Sequence, residues 1–174
     1  MSISERHGRT LVLGVGNPLM GDDGLGLAAL EMLREEWEIP ADVEVVDGGT
    51  WGLTLLPAIE SSDRLLLIDA IDAGSAPGTL HQLERDQIPR HLATKISPHE
   101  VDLREVLALA ELRGTLPLEM VAIGLQPAAV ELSSELSETV RFRLAELVEA
   151  VTQRLARWGH PCRLRTALAH SAGE

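Results

Sequence analysis

Apolar positions along this chain follow two patterns that alternate from one segment to the next. Short runs rich in aliphatic and β-branched residues predict strands at residues 10–15, 43–46, 64–68, 79–84 and 119–124. Apolar positions at helical spacing predict helices at residues 22–37, 53–60, 99–112 and 137–158. This alternation predicts an α/β protein, a three-layer sandwich with helices on both faces of a mostly parallel sheet.

The strand predicted at residues 79–84 differs from the others in its connection. It follows Asp69 after a short, turn-rich link that contains Ala76-Pro77-Gly78, and this link is too short for a helical crossover. We therefore expect an antiparallel strand at an edge of the sheet. Residues 1–158 are expected to form a single domain. Residues 159–174 show little periodicity and are expected to form a loose tail in which His160 is solvated.

The composition and net charge of the chain limit the kinds of molecule that it is expected to bind. The chain has 174 residues, of which 45% are hydrophobic, so one domain with a sizeable core is expected. Its net charge of −12 disfavours nucleic acids and anionic membrane surfaces, which attract basic proteins. A single cysteine, Cys162, can form no internal disulfide. No apolar run reaches the ~18 residues of a membrane span and no signal region is visible, so we expect a cytoplasmic protein without membrane insertion.

Polar side chains follow the predicted strands at the end where functional groups of parallel sheets collect. They are Asn17, Asp22 and Asp23 after the first strand, Asp47 after the second, Asp69 and Asp72 after the third, and His99 after an irregular segment. If the first and third strands are neighbours, Asp69 lies beside the Asp22–Asp23 corner, because adjacent strands are only about 5 Å apart. Carboxylates brought together need a cation or a proton between them, and a nearby imidazole indicates a borderline divalent metal.

Each of these residues also has a more ordinary interpretation. Asp22 or Asp23 could cap the helix that follows, as acids at helix starts commonly do. Asp69 could initiate a turn, and His99 could cap the next helix or face solvent. The residues alone leave these alternatives open.

The glycines after the first strand suggest a nucleotide site, which other residues disfavour. Gly14 and Gly16 match the start of a dinucleotide fingerprint, but Leu19 stands where its third glycine or alanine would be. Pro18 stiffens the turn, and the two acids at the helix start would repel a pyrophosphate. Neither a G-x-S-x-G nor an H-E-x-x-H motif occurs, so the common serine hydrolase and zinc protease signatures are missing.

Seven short motifs follow one another along the chain: GVGNPL at 14–19, DDG at 22–24 with Gly26, DGGT at 47–50, DAI at 69–71, APGT at 76–79, KISPH at 95–99 and GLQP at 124–127. In this order they resemble one known family, the hydrogenase maturation proteases. Each motif is weak, but the ordered set is specific and spans residues 10–158. The motifs DGGT and GLQP look closest to proteases that serve membrane-associated uptake hydrogenases.

The resemblance implies a fold and an activity. The family fold is an αβα sandwich around a five-stranded, mostly parallel, twisted sheet. The activity is an endoproteolytic cut that removes a C-terminal extension from the large-subunit precursor of a nickel–iron hydrogenase after nickel insertion. The partner would be that precursor, and the protease itself is expected to be monomeric. The alternative is a non-catalytic module that checks the nickel loading of the large subunit.

The resemblance also implies a site. By motif position, the catalytic and metal-binding trio of the family falls on Asp23, Asp69 and His99. The nickel belongs to the substrate, so the trio would recognise it there; whether the ion also activates a water molecule stays open. Asp22 would keep a helix-start or supporting role. Gly48 and Gly49 are predicted to give the adjacent loop the freedom to accommodate the substrate.

Overall fold

Five strands form the central sheet in the computed structural model, which describes residues 8–49, 52–88 and 102–166. They are β1 (Thr10–Val15), β3 (Val43–Gly49), β4 (Arg64–Ala70), β5 (Leu80–Glu84) and β6 (Glu119–Leu125). The helices are α1 (Leu25–Glu36), α2 (Leu56–Glu60), α3 (Leu103–Leu112) and α4 (Glu138–Arg157), with 3-10 turns at Gly21–Gly24, Gly52–Leu55 and Arg85–Gln87. Two short strands, β2 (Trp37–Glu38) and β7 (Arg163–Leu164), form a separate ribbon.

The strand order of the sheet is β3-β1-β4-β6-β5. All neighbours are parallel except β5, which runs antiparallel to β6 at the edge. Both the α/β prediction and the antiparallel edge strand are confirmed. The strands β1 and β4 are neighbours, with Gly14 in register with Ile68, so the chain leaves both strands at the same edge.

Alternation along the strands divides the core between the two faces of the sheet. On β4, Leu66 and Ile68 belong to the cluster that packs against α1 and α4. Leu65 and Leu67 belong to the cluster that includes α2 and α3. Continuous burial of the strand explains why its sequence is apolar throughout rather than alternating.

Two helices begin later than their periodicity predicts. The segment from Asp22 starts as a 3-10 turn, and α1 begins only at Leu25. The helix predicted from His99 begins at Leu103, where Asp102 accepts a hydrogen bond from the Arg104 amide at 3.4 Å. His99 itself lies outside the described residues. Among the described ranges, no helix is both long and apolar enough to cross a membrane.

Part of the segment expected to be a loose tail is attached to the domain. Strand β7 pairs with β2, and the Arg165 amide donates to the Glu36 carbonyl at 2.8 Å. His160 is 2% exposed instead of solvated. Its Nε2 lies 2.9 Å from the Thr10 hydroxyl, and its Nδ1 lies 3.1 Å from a carboxylate oxygen of Asp42. Little periodicity was visible here because a two-residue strand is too short to show any.

Cys162 lies in this attached segment and is half-buried. Its thiol points to the His160 carbonyl at 3.7 Å, and burial raises the pKa of the thiol. A raised pKa keeps the sulfur protonated at neutral pH, so it is a poor nucleophile.

Candidate active site

The loop between β1 and α1 holds the first predicted site residue, Asp23. This residue is the third of the 3-10 turn and is partly buried. Its Oδ2 accepts a hydrogen bond from the Asn17 amide at 2.9 Å, and the Asn17 side chain in turn accepts from the Leu19 amide at 2.9 Å. The carboxylate therefore closes the loop that carries it and is held in one position.

The second predicted residue, Asp69, lies near the end of β4 and is 8% exposed. Its Oδ1 accepts a hydrogen bond from the Ala70 amide at 2.8 Å. Its backbone continues the sheet, in register with Gly124 of β6. A buried carboxylate at the carboxyl end of a central strand is where this sheet topology predicts functional chemistry.

The two segments meet at Gly16. A Cβ atom on this residue would lie 1.9 Å from the Asp23 carbonyl oxygen and 3.8 Å from Oδ1 of Asp69. Gly16 also has φ of +124°, a conformation that side chains disfavour. The structure thus brings the segment of Asp23 and the carboxylate of Asp69 together, as the adjacency of β1 and β4 predicted.

His99, the third member of the predicted trio, lies outside the described residues, as does the rest of its KISPH motif. Within residues 8–49, 52–88 and 102–166, no group of three or more His, Cys, Asp or Glu side chains is arranged to hold a metal ion. The assignment of Asp23, Asp69 and His99 as one metal site therefore stays a prediction.

The two glycines expected to accommodate substrate have a packing role at the end of β3. The Gly49 carbonyl accepts a hydrogen bond from the Gly16 amide at 3.1 Å. A Cβ on Gly48 would lie 2.8 Å from a Leu13 methyl carbon and 3.0 Å from the Gly14 carbonyl oxygen. These glycines let β3 approach β1 closely beside the site, and their contact with substrate stays a prediction.

Asp22 does not cap a helix, so that interpretation is wrong. Its side chain is fully buried and turns away from the helix start. Its Oδ2 accepts from the amides of Ala128 and Ala129 and from the Ser137 hydroxyl, at 2.8, 3.1 and 2.8 Å. Its Oδ1 accepts from the Ser137 amide at 2.7 Å. One carboxylate therefore ties the loop of Asp23 to the segment that follows β6.

Two opposing effects act on the pKa of Asp22. Burial alone would raise the pKa, because a charged carboxylate is poorly solvated inside the protein. The hydrogen bonds from Ser137, Ala129 and Ala128 favour the charged form, and together they hold the pKa below its ordinary value. Asp22 is thus a buried anion that is stabilised by four donors.

Gln126 holds a turn beside the site in place, a role that nothing in the sequence indicates beyond its position in the GLQP motif. Its side chain is buried, and Oε1 accepts from the Ala73 amide at 2.8 Å and from the Ser75 amide at 3.3 Å. Its Nε2 donates to Oδ1 of Asp72 at 2.9 Å. Gln126 therefore fixes the turn that follows Asp69.

This turn is further braced by its neighbours. The Ser75 hydroxyl lies 3.2 Å from Oε1 of Gln126 and 2.7 Å from Nε2 of His81 on β5. The hydrogen bond from the Gln126 side chain, together with one from the Gly74 amide, lowers the pKa of Asp72. The motifs that begin at Asp69, Ala76 and Gly124 are parts of one hydrogen-bonded assembly, because the Ile71 amide donates to the Leu125 carbonyl and the Gly78 amide donates to the Gln126 carbonyl.

Close helix-to-strand packing accounts for Gly14 of the apparent nucleotide fingerprint and for Gly26, which follows the DDG motif. A Cβ on Gly26 would lie 2.3 Å from the Ile68 carbonyl oxygen and 2.4 Å from that of Val15. A Cβ on Gly14 would lie 2.8 Å from the Gly26 carbonyl oxygen. Both residues let the start of α1 press against β1 and β4, which is a structural reason for glycine that needs no phosphate.

A model of a protein family described as "Hydrogenase maturation protease" matches residues 27–154. The hydrogenase expression/formation protein HupD of Bradyrhizobium diazoefficiens is 39% identical over 169 residues, which are 96% of this chain and 88% of HupD. The hydrogenase 2 maturation protease of Escherichia coli is 36% identical over 152 residues, which are 87% of this chain and 93% of that protein.

Solved structures show the same similarity. The hydrogenase maturating endopeptidase HybD from Escherichia coli superposes with a TM-score of 0.83 at 35% identity, covering 90% of this chain and 98% of HybD. HycI, a maturation protease of nickel–iron hydrogenase from Thermococcus kodakarensis, has a TM-score of 0.65 at 27% identity and covers 86% of this chain and 94% of its own.

Proposed function

This chain belongs to the hydrogenase maturation protease family and is a peptidase, and we propose that it removes the C-terminal extension of a nickel–iron hydrogenase large-subunit precursor after nickel insertion. The observation that carries the proposal is the meeting of Asp69 and the Asp23 segment at Gly16. This corner lies at the carboxyl edge of the sheet, between two loops that hydrogen bonds hold rigid.

In this proposal the nickel ion is part of the substrate. Asp23 and Asp69 supply carboxylate oxygens, and His99 supplies an imidazole nitrogen. This donor set suits a borderline divalent ion and leaves coordination positions for ligands of the precursor. A carboxylate as buried as that of Asp69 is poorly solvated, so contact with a cation becomes more favourable there than at the surface.

The role of the trio is recognition and orientation. A precursor without nickel offers the two carboxylates no cation, so its C-terminal segment is not held near the site. A loaded precursor is held in one geometry, which lowers the entropic cost of presenting the scissile bond. The names of the relatives as proteases favour this activity over a non-catalytic module that only checks nickel loading.

The test is a cleavage assay with purified, nickel-loaded large-subunit precursor that carries its extension. We expect mass spectrometry to detect one shortened product with the wild-type protein and none when nickel is omitted. The variants Asp69→Ala, Asp23→Ala and His99→Ala should each abolish the product, whereas Asp86→Ala, an exposed acid of the third 3-10 turn, should not. Undiminished cleavage by the first three would overturn the trio, and binding without cleavage by the wild type would indicate the checking module.

A further inference from the structure

A groove runs along the outer side of α1, and Asp69 is not among the residues that line it. Its volume is about 660 Å³. Five apolar residues contribute to the lining: Pro18, Leu27, Ala28, Leu30 and Leu136. From Leu27 to Glu35 the groove follows α1 for about 12 Å, enough for about four residues of an extended peptide.

The rim of the groove is acidic. Glu31, Glu35 and Asp47 are exposed, and none of them has an ion-pair partner among the residues that the structure describes. Arg34 also lines the groove, and its Nη2 donates to the Val45 carbonyl at 2.8 Å. Three carboxylates against one guanidinium leave the charged part of the lining, the acidic rim, with a net negative charge.

The groove continues from the candidate site. Pro18, Gly21 and Gly24 line one end of it and belong to the loop that carries Asp23. Asp47 lines the groove from β3, where it lies in register with Gly14 of β1. A polypeptide bound at the carboxyl edge of the sheet therefore has a path onto the outer side of α1.

Two large, exposed apolar side chains belong to chain segments next to residues that line this end of the groove. Leu19 is 60% exposed and Leu132 is 86% exposed. Their segments are joined, because the Ser133 amide donates to the Leu19 carbonyl at 3.0 Å and the Gly21 amide donates to the Ser133 carbonyl at 2.9 Å. These bonds hold the two backbone segments together, and the exposed apolar side chains that they carry offer a surface that a partner can cover.

We propose that this groove binds an extended segment of the large-subunit precursor that carries apolar side chains and at least one basic residue. The inference rests on the proposed function, which supplies a polypeptide that must reach the site. Charge complementarity decides the occupant: a basic segment is attracted to the acidic rim. A second copy of this chain is disfavoured, because two molecules with a net charge of −12 repel each other.

The test compares two charge reversals of equal size. In Glu31→Lys/Glu35→Lys the rim becomes basic, and in the control Glu111→Lys/Glu149→Lys two exposed glutamates on other helices change instead. With nickel-loaded precursor, the groove variant should raise KM by about tenfold and leave kcat within about twofold, while the control stays at wild-type values. Precursors in which Lys and Arg residues near the cut are changed to Glu should regain binding to the groove variant.

The outcomes separate the groove from the proposed function. Normal cleavage with KM unchanged in the groove variant overturns the groove and leaves the function standing. If the wild type does not cleave, the affinity for the same precursor is measured instead. A loss of affinity in the groove variant but not in the control then supports the groove and contradicts the proposed function. If both double variants lost affinity for the precursor equally, the effect would come from the net charge of the protein and would overturn the groove. If the groove variant differed from the wild type in oligomeric mass measured by sedimentation, the occupant would be a second copy of this chain. That result would also overturn the proposal.

Discussion

The two loops beside the candidate site are held in place by different chemistry. The loop that carries Asp23 is tied to the segment after β6 by the buried carboxylate of Asp22. The turn after Asp69 is tied to the same segment by the neutral side chain of Gln126. Both residues reach across the edge of the sheet, but only Asp22 carries a charge there.

The two sets of hydrogen bonds, those of Asp22 and those of Gln126, differ in the cost of losing a partner. A buried carboxylate must have its donors, because an uncompensated charge inside a protein is costly. A buried amide contributes a donor and an acceptor at a lower cost of desolvation. The region of Asp23 should therefore be more sensitive to substitution than the region after Asp69.

The largest effect is expected for Asp22→Ala. Four donors, at Ala128, Ala129 and twice at Ser137, lose their acceptor in a buried place. We expect the free energy of unfolding to fall by about 4 kcal/mol, which urea titration followed by circular dichroism can measure. The exposed acid of Asp86→Ala serves as the control, and a loss below about 1 kcal/mol for Asp22→Ala would contradict the importance of this tie.

Next in size is Gly16→Ala, where the two regions meet. The new methyl group would collide with the Asp23 carbonyl oxygen, and φ of +124° is unfavourable for alanine. We expect a loss of about 3 kcal/mol and impaired cleavage of precursor. Gly74→Ala is the matched control, because Gly74 also has positive φ but its Cβ would meet nothing within 4 Å. Equal losses for both variants would assign the effect to the backbone conformation alone.

A smaller loss, about 2 kcal/mol, is expected for Gln126→Ala. The amides of Ala73 and Ser75 lose an acceptor, but this turn is partly exposed, so water can replace some of the bonds. Gln153→Ala, on the exposed face of α4, is the control. If Gln126→Ala cost more stability than Asp22→Ala, the ranking of the two ties would be reversed.

The smallest effect is a difference in pH dependence. The pKa of Asp22 is lowered by folding, so its contribution is fully present above the ordinary carboxyl value of about 3.9 and is lost as pH falls through the lower folded value. Wild-type stability should therefore decline more steeply below about pH 4 than that of Asp22→Asn, which has no such proton to bind. Parallel curves for the two proteins from pH 5 to pH 2 would rule out this linkage.

The sequence predicted the layers and the antiparallel edge, because these follow from periodicity and connection length. The meeting of two strand ends was predicted only on the condition that the first and third strands are neighbours, and the strand order meets that condition. It did not predict what Asp22 binds. Its partners lie more than a hundred positions away along the chain, and nothing at a helix start distinguishes a cap from a long-range tie. Gln126 was missed for the same reason, since its partners near residue 73 come together only in the folded sheet.

The burial of His160 against Thr10 has a practical consequence for shortened versions of the protein. Periodicity placed the end of the domain at residue 158, but truncation there would remove the histidine together with β7. Truncation after residue 166 would leave both in place. A purification tag or a fluorescent label should therefore be attached after residue 166. There it leaves the contact between Thr10 of the first strand and His160 intact.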